Sequence, residues 1–138
     1  MSKSLKVVVV TPDRALLDEV ADSAVLPMYD GELGVLPGRA AIIGRLGPGE
    51  LRITTAGVTK RFFVDGGFAQ VAQNAEKQTL VTVLTPKAQP AAELTPAKAA
   101  DARAAADAMP STNAIERGNR ERAQDRARGM AHVAAKNA

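Results

Sequence analysis

The amino-acid composition of this chain changes abruptly near residue 87, and this change constrains the possible folds more than any other feature. Nine of the eleven glycines lie in residues 1–87, among short runs of β-branched residues. From residue 88 to residue 138, by contrast, 18 of 51 residues are alanine, the strongest helix former. The sequence therefore predicts two parts, a β domain over residues 1–87 and a helical region over residues 88–138.

Residues 5–85 contain about eight short apolar runs separated by turn signals. The spacing of these signals, roughly 8–12 residues, is typical of an antiparallel sandwich or barrel. We expect turns at residues 46–49 and 65–67, where glycine and proline or aspartate cluster. Residues 31–38 predict a tight crossover between strands, with apolar side chains inside and Glu32 and Arg39 outside. The fold class predicted for this part is all-β.

The alanine-rich region reads as a linker followed by two helices. Thr95 fits an N-cap with Pro96 at the first helical position, and Asn113 with Glu116 resembles a capping box. Two helices joined by so short a turn form an antiparallel hairpin. Its apolar stripes consist mostly of alanine, and the two glycines of the second helix, Gly118 and Gly129, each cost about 1 kcal/mol relative to alanine. We therefore expect the hairpin to dock weakly and to be mobile.

Several classes of function are disfavoured by what the sequence lacks. Without cysteine there is no disulfide scaffold and no thiolate metal site. The N-terminus lacks the apolar segment of a signal peptide, and no apolar run approaches about 18 residues, so a soluble chain is expected. The single histidine, His132, has no zinc-like partners, and the glycine-rich stretches lack the Lys-Ser/Thr of a phosphate loop. We predict no catalytic residues, no metal site and no cofactor.

Most of the excess positive charge lies at the C-terminal end, where residues 112–138 carry six Lys and Arg against three Asp and Glu. Five arginines of the second helix lie within twelve residues: Arg117, Arg120, Arg122, Arg126 and Arg128. One interpretation is a solvated helix with i,i+4 pairs such as Glu116–Arg120 and Arg117–Glu121. The other is a cationic clamp for an acidic protein surface or for nucleic acid. Nucleic acid is the weaker choice, because no aromatic residue is interleaved for base stacking.

Four short stretches, in order and at matching spacing, carry a family resemblance. They are Gly31–Ala40 (GELGVLPGRA), Pro48–Ile53 (PGELRI), Phe63–Val71 (FVDGGFAQV) and Val81–Leu84 (VTVL). With them, residues 5–87 resemble the ε subunit of rotary F-type ATP synthases. Over residues 88–138 the resemblance rests only on the two-helix architecture and the basic second helix.

The resemblance implies a sandwich of about ten short antiparallel strands that binds the γ subunit and rests on the ring of c subunits. The hairpin would fold against the sandwich or extend along γ to inhibit ATP hydrolysis. Glu32 matches the loop that contacts the c-ring. Arg39 stands where the family often has histidine, and Ala41 replaces a second proline, so the contact chemistry there stays open. The five arginines would meet an acidic loop of the catalytic β subunit.

The stretch Leu94–Ala99 departs from the motif of ATP-sensing members, because it lacks both their aspartate and their arginine. This argues against ATP binding. The implied role is a non-catalytic rotor subunit, peripheral on the cytoplasmic side of a bacterial inner membrane, with no transmembrane segment and no nucleic-acid partner. The alternative is a free-standing β-sandwich adaptor with a basic tail that binds nucleic acid or an acidic protein.

Overall fold

Eight strands form one hydrogen-bonded sheet within residues 4–137, the part of the chain that the computed structural model describes. They are β1 (Leu5–Val10), β2 (Ala15–Ala21), β3 (Ser23–Met28), β4 (Gly31–Val35), β5 (Ile42–Thr55), β6 (Val58–Gln73), β7 (Thr79–Leu84) and β8 (Ala88–Pro90). The order is β2-β1-β7-β6-β5-β3-β4, with β8 also paired to β6. Every pair is antiparallel except β1 with β7, which run parallel from Leu5↔Thr79 to Val10↔Leu84.

The expected turns at residues 46–49 and 65–67 do not form, because these residues lie within the continuous strands β5 and β6, of 14 and 16 residues. Their ladder breaks only between the pairs Leu46↔Gly67 and Pro48↔Asp65. Gly66 and Gly67 have positive φ there, and a Cβ at Gly67 would overlap the carbonyl oxygen of Leu84. Long-range pairing thus converts two local turn signals into bends.

These bends let one pair of strands serve both layers of the predicted sandwich. Dividing β5 and β6 at their bends turns the eight continuous strands into the ten short ones that the resemblance implies. The predicted β-sandwich followed by a two-helix hairpin is confirmed. Between the layers lie fifteen buried apolar residues, all aliphatic, as the 3% aromatic content requires.

The helical region begins with a short 3₁₀ turn at Ala91–Glu93, followed by α1 (Pro96–Asp107) and α2 (Ala114–Ala135). Both predicted caps are present: the side chain of Thr95 accepts from the N–H of Lys98 at 3.1 Å, and that of Asn113 from the N–H of Glu116 at 2.8 Å. The stretch expected to be a linker instead forms β8 and the 3₁₀ turn, since its backbone pairs with β6. None of the helices in residues 4–137 is both long and apolar enough to cross a membrane.

Candidate interaction surfaces

One outer face of the sheet exposes large apolar side chains that sequence reasoning did not single out. Cross-strand pairing lines up Leu84 on β7, Phe68 on β6 and Arg45 on β5, and the next row holds Thr82, Gln70 and Ile43. The large apolar residues around these rows are between about half and three-quarters exposed; we call the set Tyr29, Ile43, Phe68 and Leu84 the apolar sheet face. Contiguous exposed apolar area of this kind marks interaction sites in soluble proteins.

The edge of the apolar sheet face is polar but ordered. The Arg45 guanidinium lies over the ring of Tyr29, 4.6 Å from its centroid, and the N–H of Tyr29 donates to the carbonyl of Arg45 at 2.8 Å. An arginine stacked on a tyrosine is a typical feature of protein interfaces, where both residue types are enriched. The signal in the sequence was present, because Phe68 and Leu84 occupy the outward positions of strands that alternate with period two.

Glu32 lies on β4, next to the β3–β4 turn, with its side chain 56% exposed. Its carboxylate accepts from both terminal nitrogens of Arg52, with Nη1 at 2.8 Å and Nη2 at 3.4 Å. Arg39 lies beyond the end of β4, half-buried, and its N–H donates to the carbonyl of Leu36 at 3.1 Å. No ion pair among the described residues joins Glu32 to Arg39, so the structure does not bring these two predicted contact residues together.

A buried carboxylate lies where the sandwich meets the end of α2. The Glu50 side chain is only 2% exposed, and three cations surround it. Its Oε1 accepts from Arg52 Nη1 at 3.0 Å and from Lys136 Nζ at 3.2 Å, and its Oε2 accepts from Arg61 Nε at 2.7 Å. Burial raises the pKa of the Glu50 carboxyl, but the hydrogen bonds from Arg52, Arg61 and Lys136 outweigh burial and hold that pKa below its usual value.

Arg52 is shared between two carboxylates, because Glu32 and Glu50 both accept from its Nη1. The hydrogen bonds to Glu32 and then to Glu50 raise the pKa of Arg52, so it stays a cation at every relevant pH. The burial of Glu50 could not be predicted from the sequence, where its position in an alternating strand indicates an ordinary surface residue. Two of its partners, Arg61 and Lys136, lie 11 and 86 positions along the chain.

The last two turns of α2 dock on the sandwich through a small second core. Its buried members are Phe63, Ala91, Leu94, Val133 and Ala134, with Met130 partly buried against them. Gly129 packs so closely that a Cβ there would overlap the carbonyl oxygen of Pro48 and lie 3.3 Å from the Phe63 ring. The glycine predicted only to weaken the helix therefore lets α2 pack closely against the sandwich.

Polar contacts complete this docking site, although the fit leaves space. The side-chain amide nitrogen of Asn137 donates to the carbonyls of Ala91 at 2.6 Å and Leu94 at 3.1 Å, and Arg61 donates to its amide oxygen at 2.7 Å. Beside these contacts, a cavity of about 200 Å³ separates part of α2 from the sheet. It is lined by Phe63, Asp65, Lys87, Ala88, Gln89, Arg126 and Met130. The docking is specific in its polar contacts but incompletely packed.

The five arginines of α2 do not form one free cationic face. Arg126 pairs with Asp65 of β6 at 2.7 Å, and Arg120 donates to the carbonyl of Asp107 in α1 at 3.1 Å. The other three, Arg117, Arg122 and Arg128, are exposed and contact only groups near them in the chain, Ser111, Asn119 and Asp125. Two of the predicted clamp residues are thus engaged by the chain itself while the hairpin is docked.

The intrahelical pairs Glu116–Arg120 and Arg117–Glu121 are absent from the ion pairs of residues 4–137. Glu116 instead accepts from the N–H and hydroxyl of Thr112, which explains why Arg120 turns to α1. His132 is exposed near the end of α2. Among the described residues, no three His, Asp or Glu side chains are arranged to hold a metal ion.

Comparisons with known proteins agree with this architecture. The family model described as "ATP synthase, Delta/Epsilon chain, beta-sandwich domain" matches residues 4–91. An ATP synthase epsilon chain of Rhodopirellula baltica is 48% identical over 127 residues, which is 92% of this chain and 95% of that protein. Another, from Nitratidesulfovibrio vulgaris (strain Miyazaki F), is 40% identical over 94 residues, covering 68% of this chain and 66% of that one.

Two solved structures share the fold. A chain in the mitochondrial ATP synthase of Euglena gracilis (OSCP/F1/c-ring) aligns with a TM-score of 0.82 and 24% identity over 96% of this chain and 82% of its own length. A chain in the central stalk and c-ring of the Tetrahymena thermophila enzyme aligns with a TM-score of 0.71 and 16% identity, over 94% of this chain and 96% of that one. Both similarities concern the fold alone.

Proposed function

Because the chain belongs to the delta/epsilon chain family of ATP synthases, as a non-catalytic epsilon subunit of the central stalk, we propose that it couples the γ subunit to the c-ring and restrains ATP hydrolysis through its hairpin. It is a peripheral part of that complex, and we place it on the cytoplasmic side of a bacterial inner membrane. The observation that carries the proposal is the exposed apolar sheet face beside the acidic β3–β4 turn.

The apolar sheet face is the proposed contact with γ. Phe68 and Leu84 are 57% and 52% exposed, so covering the remaining half of each side chain stabilises an interface by about 1 kcal/mol each. Aromatic anchors of this type dominate the binding energy of protein interfaces. Glu32, on the edge strand β4, is the proposed contact with the polar loops of the c-ring, with Arg39 nearby in the chain.

Introducing a negative charge into the apolar sheet face tests the γ contact. Phe68→Asp should abolish co-purification with γ, because an uncompensated carboxylate would be buried at the interface. Val58→Asp is the matched control, since Val58 is 64% exposed but lies at the far end of β6, outside the apolar sheet face. Melting temperatures of the isolated chains should stay within a few degrees of one another. Equal binding of γ by both variants would refute the assignment of this face.

The hairpin is the proposed inhibitory element. Its exposed arginines, Arg117, Arg122 and Arg128, are available to an acidic surface of the catalytic β subunit. Arg126 becomes available once the hairpin leaves Asp65 of the sandwich, and Arg120 once it gives up its bond to the carbonyl of Asp107 within the hairpin. Exposed ion pairs contribute only about 0–1 kcal/mol each, so several must act together.

Deletion of residues 112–138 should raise ATP hydrolysis by the complex while assembly on γ survives, since the sandwich carries that contact. Replacing the five arginines by alanine should have the same effect, and high salt should reproduce part of it. Hydrolysis unchanged by both variants at low salt would exclude an inhibitory clamp.

A chain that instead binds DNA with a steep salt dependence, and does not co-purify with the ATPase, would favour the adaptor function.

A further inference from the structure

A chain of ionic contacts runs from the Glu32 turn to the C-terminal end of α2. Glu32 forms an ion pair with Arg52, and Arg52 forms a second one with the buried Glu50. Glu50 in turn forms an ion pair with Lys136. Arg61 closes the chain, because it binds Glu50 and also donates to the carbonyl of Val133 at 3.3 Å. The most exposed end of this chain is Glu32, whose carboxylate is 56% exposed and open to a partner, whereas its centre at Glu50 is buried.

From this arrangement we propose that Arg52 transmits the occupancy of Glu32 to the docking of α2, so that a partner that binds the Glu32 carboxylate loosens the hairpin. The inference rests on the proposed function in one respect only, namely that the Glu32 turn contacts a neighbouring subunit. The group that it would recognise there is a hydrogen-bond donor or a cation, since an ionised carboxylate accepts hydrogen bonds but cannot donate them.

The sign of the effect follows from charge balance. The cluster contains three cations, Arg52, Arg61 and Lys136, and two carboxylates, Glu32 and Glu50. When a partner neutralises Glu32, only the single buried carboxylate is left for three positive charges. Like charges in a poorly solvated site repel strongly, and the cation with the fewest other contacts leaves first.

Lys136 is that cation. Arg52 and Lys136 both donate to Oε1 of Glu50, at 3.0 Å and 3.2 Å, so they compete for one oxygen. Arg61 is anchored by further bonds to Asn137 and Val133, whereas the ammonium of Lys136 has no other partner among the described residues. Arg52, released from Glu32, also has Glu50 alone, but its side chain is more buried than that of Lys136, at 27% against 39% exposed, and its distance to Oε1 is the shorter one. It therefore takes the whole of Oε1 and displaces Lys136. The last turn of α2 then loses its ionic contact with the sandwich.

The experiment is hydrogen exchange on the isolated full-length chain, read at the amides of residues 130–137. Glu32→Gln should accelerate exchange there about threefold to tenfold, in the range expected for coupled charged neighbours. Asp30→Asn is the matched control, because it removes the same charge from the same turn at an exposed residue that has no ion pair within residues 4–137. Its exchange should equal that of the parent chain.

A double-mutant cycle then isolates the connection to Lys136. In a Lys136→Met background the end of α2 should exchange faster than in the parent, and adding Glu32→Gln should change it no further. Equal exchange for Glu32→Gln and Asp30→Asn would overturn the proposal, and so would an effect of Glu32→Gln that persists without Lys136. These readings need no partner. If the chain failed to bind γ, the proposed function would be refuted. The ionic connection would still be tested independently, by the hydrogen exchange of these variants.

Discussion

Replacing Gly129 with alanine separates the helicity of α2 from its docking, because the two respond with opposite sign. In an exposed helix the change favours helix by about 1 kcal/mol. Where α2 is docked, however, the new Cβ would overlap the carbonyl oxygen of Pro48 and crowd the Phe63 ring. The obstacle is backbone of a bent strand, not the flexible end of a side chain.

The magnitude can be worked from this contact. To restore van der Waals distance the helix must move by on the order of 1 Å, which also disturbs the neighbouring contacts of Val133 and Ala134. Overpacking of this kind costs about 1–3 kcal/mol. Alanine favours the helical conformation equally in the docked and the undocked hairpin, so this contribution cancels in the docking equilibrium. The overpacking alone should then shift that equilibrium about 5- to 150-fold towards the undocked hairpin.

The measurement combines far-ultraviolet circular dichroism with hydrogen exchange of residues 129–137. Gly129→Ala should keep or increase helicity while exchange of that segment accelerates. Gly118→Ala is the control on the same helix, because a Cβ at Gly118 would meet only the flexible end of Arg122 at 3.4 Å; it should raise helicity and leave exchange at 129–137 unchanged. Slower exchange in Gly129→Ala would refute the reasoning, since it would mean that the sandwich yields at Pro48 at little cost.

Three further outcomes follow from contacts described above. Since the pKa of Glu50 is lowered on folding, its contribution to docking is complete above its unfolded value, about pH 4.5, and is lost as pH falls through the lower folded value. Exchange at 130–137 should accelerate in that acid range, and Glu50→Gln should reduce this pH dependence. Asn137→Ala removes three hydrogen bonds and should weaken docking by about 1–3 kcal/mol, measured by the same exchange, while the sandwich keeps its melting temperature. Gly67→Ala should instead lower the melting temperature of the whole sandwich by several degrees, because it combines positive φ with an overlap at Leu84; an unchanged melting temperature would contradict the account of the bend.

Features fixed by neighbouring residues were predicted well from the sequence. The caps at Thr95 and Asn113 depend on side chains that reach three residues ahead, and both are present. Glycine and proline signals, by contrast, were misleading at residues 46–49 and 65–67. There the two segments face each other across the β5–β6 ladder, so pairing partners supplied by the fold decide the conformation.

The interaction surfaces were harder to predict because their members meet only after folding. The arginines were identified by composition alone, yet Arg126 finds Asp65, 61 residues away, and that pairing leaves no local pattern. Glu50 alternates correctly for a half-buried strand, and its burial depends on a helix end 86 residues further on. The roles of Glu32, Arg39 and the arginines in contacts with other subunits stay predictions.

The one parallel pairing, between β1 and β7, has a consequence for how the chain is made on the ribosome. In the strand order, β7 alone joins the β1–β2 hairpin to the β6–β5–β3–β4 ladder. Until residues 79–84 have left the exit tunnel, the first-made hairpin has no neighbouring strand in the ladder. Only contacts outside the ladder, such as the N–H of Asp22 donating to the carbonyl of Thr54 at 2.8 Å, connect it to the strands already made. The sandwich therefore closes in a single late step, and nascent chains that stop before β7 should be preferred substrates of chaperones and proteases.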